Sequence, residues 1–144
     1  MASDNPVLCP SAQPEWPGAQ AVGVMAGTAD KPEMAYLNAP QPVTGQLLEM
    51  AGSVSPAEVF RFSAPCACKG CGHYVEGESR CRLAEKVVRL MPTVTEQLPV
   101  CAIRSECRWW RQEGRAACFR CPQVVTNNLK PTEEMRLAAD YSVL

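Results

Sequence analysis

The longest regular alternation of apolar and polar positions lies in mid-chain, over Ser79 to Met91. Leu83, Val87, Leu90 and Met91 recur at helical spacing, charged residues fill the opposite face, and Pro92 stops the run. This predicts an amphipathic helix. Ser55-Pro56-Ala57-Glu58 predicts another that runs to about Phe62, with Ser at the N-cap, Pro at the first helical position and Glu completing a capping box. Three shorter helices are expected over Gln46–Ala51, Ser105–Glu113 and Thr132–Asp140, the first two stopped by Gly52 and Gly114. Strand signals are poor. No period-two run exceeds about five residues, and Gln123-Val-Val-Thr126 is the best of them. Residues 1–43 carry seven of the prolines together with many Ala and Gly and show no period, which predicts an irregular arm. The expected fold is a small α-rich, metal-stapled domain over residues 44–144 with little regular sheet, preceded by that Pro-rich arm.

The cysteines change this picture most. Of nine in the chain, eight fall between residues 66 and 121 in two quartets. Cys66, Cys68, Cys71 and Cys81 are spaced C-x-C-x2-C-x9-C, and Cys101, Cys107, Cys118 and Cys121 are spaced C-x5-C-x10-C-x2-C. Thiolates in fours are the donor set of Zn²⁺ and of iron–sulfur clusters. Two four-cysteine metal sites are therefore expected, [4Fe–4S] clusters first and Zn²⁺ as the alternative. Three thiolates within six residues crowd one tetrahedral ion but suit a cubane, whose four corner irons are separate. His73 could replace Cys81 as a ligand, giving a Cys3His site. Cys9, remote from both quartets, reads as a free thiol in the arm, and the arm as dispensable for metal content.

Cys118-Phe-Arg-Cys121-Pro122 resembles the end of the cluster-binding run of bacterial ferredoxins, where proline follows the last cysteine. The likeness covers five residues, and the rest of that run is absent, so no fold carries over. Cys68-Lys-Gly-Cys71-Gly72 is similar to a zinc knuckle, in which glycine lets backbone N–H groups turn toward sulfur. Around the second quartet, Arg104, Arg108, Trp109, Trp110, Arg111 and Phe119 are expected to wall the site, the aromatics excluding water and the arginines supporting a negative centre.

Charge adds little. Residues 66–121 hold ten Lys or Arg against six acids, a balance that could mark a nucleic-acid surface. Four-thiolate centres are themselves negative, however, and would absorb that excess, so nucleic acid is the weaker partner and a protein redox or assembly partner the stronger one. Met1-Ala-Ser-Asp-Asn-Pro has neither a basic nor an apolar leader region, and no stretch approaches the ~18 apolar residues of a membrane span. A cytoplasmic compartment, where thiols stay reduced, is expected. Catalytic signatures are missing: there is no Gly-rich phosphate loop, no G-x-S-x-G, and one histidine in all. The sequence therefore predicts a non-catalytic, small iron–sulfur protein that carries electrons or senses redox state for a partner. A zinc-stapled interaction module and a cluster-based transcription regulator are the alternatives.

Overall fold

Several prolines of the expected arm sit in strands at the two edges of a sheet. The structure, a computed structural model, describes residues 7–27, 32–67, 71–75, 77–78, 80–95, 97–124 and 132–140. Strands β1 (Leu8–Ala12), β2 (Gln20–Gly27), β3 (Pro32–Pro42) and β4 (Phe60–Pro65) form an antiparallel sheet in the order β1-β4-β2-β3. Pro10 lies in β1, and Pro32, Pro40 and Pro42 lie in β3, the two edge strands. An edge strand bonds on one side only, so a missing N–H can face outward without breaking a ladder. The expectation of an α-rich domain with little sheet and an irregular N-terminal arm is thereby corrected. Helix and strand are both substantial, and three of the four long strands come from that arm.

The alternation that would have announced these strands is absent for a physical reason. Central strand β4 is buried on both faces: Phe60, Phe62 and Ala64 enter one apolar cluster, while Arg61 and Ser63, between them, are also buried. The other central strand, β2, is built largely from small residues. Its Gly23 lies at a bulge, and a Cβ there would come within 2.7 Å of Met34 Sδ. A larger residue there would have to push the Met34 side chain aside.

Helices flank the sheet. Helix α1 (Gly45–Glu49) and α2 (Pro56–Val59) precede β4, and the capping box forms, with Ser55 N–H donating to Glu58 Oε2 at 3.0 Å. The expected helix to Phe62 stops at Val59 because Phe60 turns into β4. After β4 come a short hairpin, β5 (Tyr74–Val75) and β6 (Arg80–Cys81), and then α3 (Arg82–Leu90) with Leu83 and Val87 buried. The segment expected as one helix over Ser105–Glu113 divides into a 3-10 turn (Arg104–Glu106) and α4 (Arg108–Glu113), which ends at Gly114 with φ 67°. Next are α5 (Arg115–Cys118), a 3-10 turn over Cys121–Gln123 that takes in the first residue of the expected extended run while Val124 is extended, and α6 (Glu133–Ala139), capped by Thr132. Val125 and Thr126 lie outside the described residues.

Two apolar clusters result. Ala12, Ala21, Ala57, Phe60, Phe62 and Ala64 form one, which α1 and α2 cover through Leu47, Leu48 and Val59. The other joins Val22 of the sheet to Leu83, Val87, Ile103, Trp109, Ala117, Met135 and Ala138 of the helical half. Neighbours Ala21 and Val22 enter different clusters, so the sheet stands between them. Among the described residues no helix is long and apolar enough to cross a membrane.

Candidate metal centres

Both cysteine groups line cavities whose walls come from the sheet and from the helical segments. All four cysteines of the second quartet, Cys101, Cys107, Cys118 and Cys121, line one small cavity that is partly open to solvent. The helical half supplies the thiols and every long strand supplies wall: Pro10 from β1, Val22 from β2, Met34 and Tyr36 from β3, and Arg61 from β4. Cys107 precedes α4, where the N–H groups of Trp109 and Trp110 point toward it, and burial still pushes its thiol up to about 12. Burial likewise raises Cys101, against the Ile103 N–H, and Cys118, against a hydrogen bond from Arg104. Thiols desolvated in this way stay protonated without a cation, and a metal ion reverses that preference.

Arg61 is the most consequential contact that sequence reasoning missed. Its Nη1 donates to Cys121 Sγ at 2.9 Å, and its Nη2 donates to the Cys121 carbonyl at 2.8 Å and to the Val124 carbonyl. At 1% exposure this guanidinium is buried with its charge beside a thiol. A buried cation needs a compensating anion. The Cys121 sulfur is the side-chain group that this guanidinium meets. Only the buried position of an Arg between Phe60 and Phe62 hints at this in the sequence, and reading it requires β4 to be recognised first.

The first quartet is distributed differently. Cys66, Cys71 and Cys81 line a second small cavity, together with Trp16, Tyr74, Arg108, Trp109 and the arm cysteine Cys9. Cys68 lies outside the described residues. Cys9 is therefore not in an irregular tail: it stands on β1 opposite Ala64 of β4, and Cys66 N–H donates to the Val7 carbonyl at 2.8 Å. Burial, and then the nearby Cys81, Cys66 and Cys71, push the Cys9 thiol up to about 12. Cys81 forms the N-cap of α3, whose Leu83 and Ala84 N–H groups face it, although burial still raises its thiol. Gln112 of α4 clasps the same residue: Cys81 N–H donates to Gln112 Oε1 at 2.7 Å, and Gln112 Nε2 donates to the Cys81 carbonyl at 2.9 Å.

His73 N–H points at Cys71 Sγ at 3.5 Å, the knuckle-type contact that the glycine pattern predicts. The His73 side chain lines neither cavity, and burial followed by the Lys86 charge lowers its pKa to about 4. Of the expected shell, Arg104 and Trp110 line the second-quartet cavity, with the Arg104 guanidinium 5.5 Å from the indole centre. Arg108 lines the other cavity and lies 5.8 Å from the Tyr74 ring centre. Trp109, 2% exposed, lines both. Arg111 and Phe119 line neither, and Arg111 Nε donates to the Ser105 carbonyl at 2.8 Å.

None of the eight described cysteines is in a disulfide. Among the described residues, no group of three or more His, Cys, Asp or Glu is placed to hold a single metal ion. The thiols stand round cavities instead. The chain matches no family model, no curated protein and no solved structure. Its function has to be argued from these two cavities.

Proposed function

We propose that the chain is a cytoplasmic iron–sulfur protein with two clusters, most simply [4Fe–4S], that carries electrons or registers redox state for a protein partner. The observation that carries this reading is the cavity with Cys101, Cys107, Cys118 and Cys121 all on its walls. A single Zn²⁺ draws its four sulfurs to about 2.3 Å from one point and leaves no space between them. An iron–sulfur core fills such a space and holds its ligands apart. When bound, the clusters would supply one-electron transfer.

The chain's own residues suit that role. Trp109, Trp110 and Val22 give the second-quartet cavity an apolar wall, while Arg61 donates to Cys121 Sγ and Arg104 to Cys118. Donors aimed at sulfur favour the more negative, reduced state and so raise the potential. Trp109 forms a wall of both cavities, which sets the two sites one side chain apart. Arg104 and Arg108, two of the ten basic residues between positions 66 and 121, serve as cavity walls and not as open basic surface.

Anaerobic purification followed by iron, zinc and sulfide analysis tests the proposal. The expected protein is brown, absorbs broadly near ~400 nm and contains acid-labile sulfide. A colourless protein with stoichiometric zinc would replace this reading with a zinc-stapled module.

A further inference from the structure

Five cysteines compete for the four ligand positions of the first centre, because the sequence places Cys68 beside Cys66 and Cys71 and the fold adds Cys9. Resting on the iron–sulfur reading above, we infer that Cys9 is a ligand of that centre, which is closed by Cys9, Cys66, Cys71 and Cys81. Three observations converge on this assignment. Cys9 lines the same cavity as the other three thiols. The β1–β4 ladder holds it there, with Leu8 opposite Pro65, Cys9 opposite Ala64, and the Val7 carbonyl accepting from Cys66 N–H. On the other side, β1 is anchored by a bridge between Leu8 and Cys107, so the strand is fixed against both the loop of Cys66 and the start of α4. The chemistry is ordinary ligation: the Cys9 thiol loses its proton to solvent and the thiolate binds a corner iron, with no change in oxidation state. The N-terminal strand is then part of the metal site, and the dispensable arm expected from composition is not.

Cys9→Ser and Cys68→Ser variants of the full chain, loaded under the same anaerobic conditions as the wild type, decide the matter. Iron and sulfide are counted and the reduced spectra recorded by electron paramagnetic resonance. Cys9→Ser is expected to lose about half of the iron and sulfide, or to keep them with an altered signal from one centre, as an oxygen ligand would produce. The other centre, whose wall includes the adjacent Pro10, serves as the control for the fold, and its signal stays unchanged. Cys68→Ser keeps full iron and both signals. Unchanged iron and spectra in Cys9→Ser overturn the assignment, and so does loss of both centres, which would place Cys9 in the fold and not in the site. Alkylation of the loaded wild type under native conditions gives a second reading: Cys9 is protected, and its rapid labelling would overturn the assignment. A wild type that takes up no metal refutes the iron–sulfur reading itself and is distinguishable from all of these.

Discussion

The two cavities collect their cysteines by different routes. The thiols of the second-quartet cavity all come from 21 consecutive positions, Cys101 to Cys121, folded into short helices and turns. Those of the other come from an edge strand, the end of β4, a knuckle and the cap of α3, spanning Cys9 to Cys81. Closing the longer span costs about 1 kcal/mol more in chain entropy, a modest difference. The larger difference is one of dependence. One cavity can gather its thiols before the sheet exists and needs the sheet for its wall, whereas the other gains Cys9 only when β1 docks on β4. The same donor chemistry thus gives one locally encoded site and one that reads out the tertiary fold.

Complete metal removal should have the largest effect. Helices α4 and α5 have six and four residues, far below the length that is stable alone in water. Reduction and chelation should therefore abolish most of the helical circular dichroism and leave amide protection highest in β2 and β4, whose Phe60–Phe62 cluster contains no thiol. A chelated sample that keeps its full spectrum and thermal transition would break the view of the helical half as metal-built. Trp109→Ala, which removes a wall common to both sites, is expected next, at about 3–5 kcal/mol. Iron analysis should show both centres weakened, and damage to one alone would separate them.

Two finer substitutions should act on one centre each. Arg61→Met leaves the carbonyls of Cys121 and Val124 without their donor and takes an N–H from Cys121 Sγ. A loss of about 2–3 kcal/mol follows from the unsatisfied groups. The potential of the second-quartet centre should fall by tens of millivolts in a redox titration, with ~59 mV equivalent to 1.4 kcal/mol for one electron. Gln112→Leu removes both bonds that hold the Cys81 backbone, at about 1–2 kcal/mol. The rate of iron release to a chelator should rise at the first centre only.

The sequence showed its helices more clearly than its sheet. Leu83 and Val87 marked α3 because one face of it meets the core, and Ser55 with Glu58 marked α2 because capping is a local interaction. Strand β4 carries buried side chains on both faces, including a charged one, so no alternation survives to be read. The prolines of β1 and β3 look like chain breakers until the strand order places them on edges. At the sites, spacing brought Cys101, Cys107, Cys118 and Cys121 together as a set because their grouping is local. Cys9 and Arg61 were illegible for the opposite reason: each reaches its cavity only through strand pairing across the sheet.

Strand β1 presents Cys9 to one cavity and the next residue, Pro10, to the other. Because side chains alternate along a strand, a slip of one position would turn Cys9 to the face that Pro10 now occupies. It would take Cys9 away from Cys66, Cys71 and Cys81 and toward the face of a cavity that four thiols already line. Register is therefore what keeps the sulfur of the N-terminal strand with one cysteine group and not with the other.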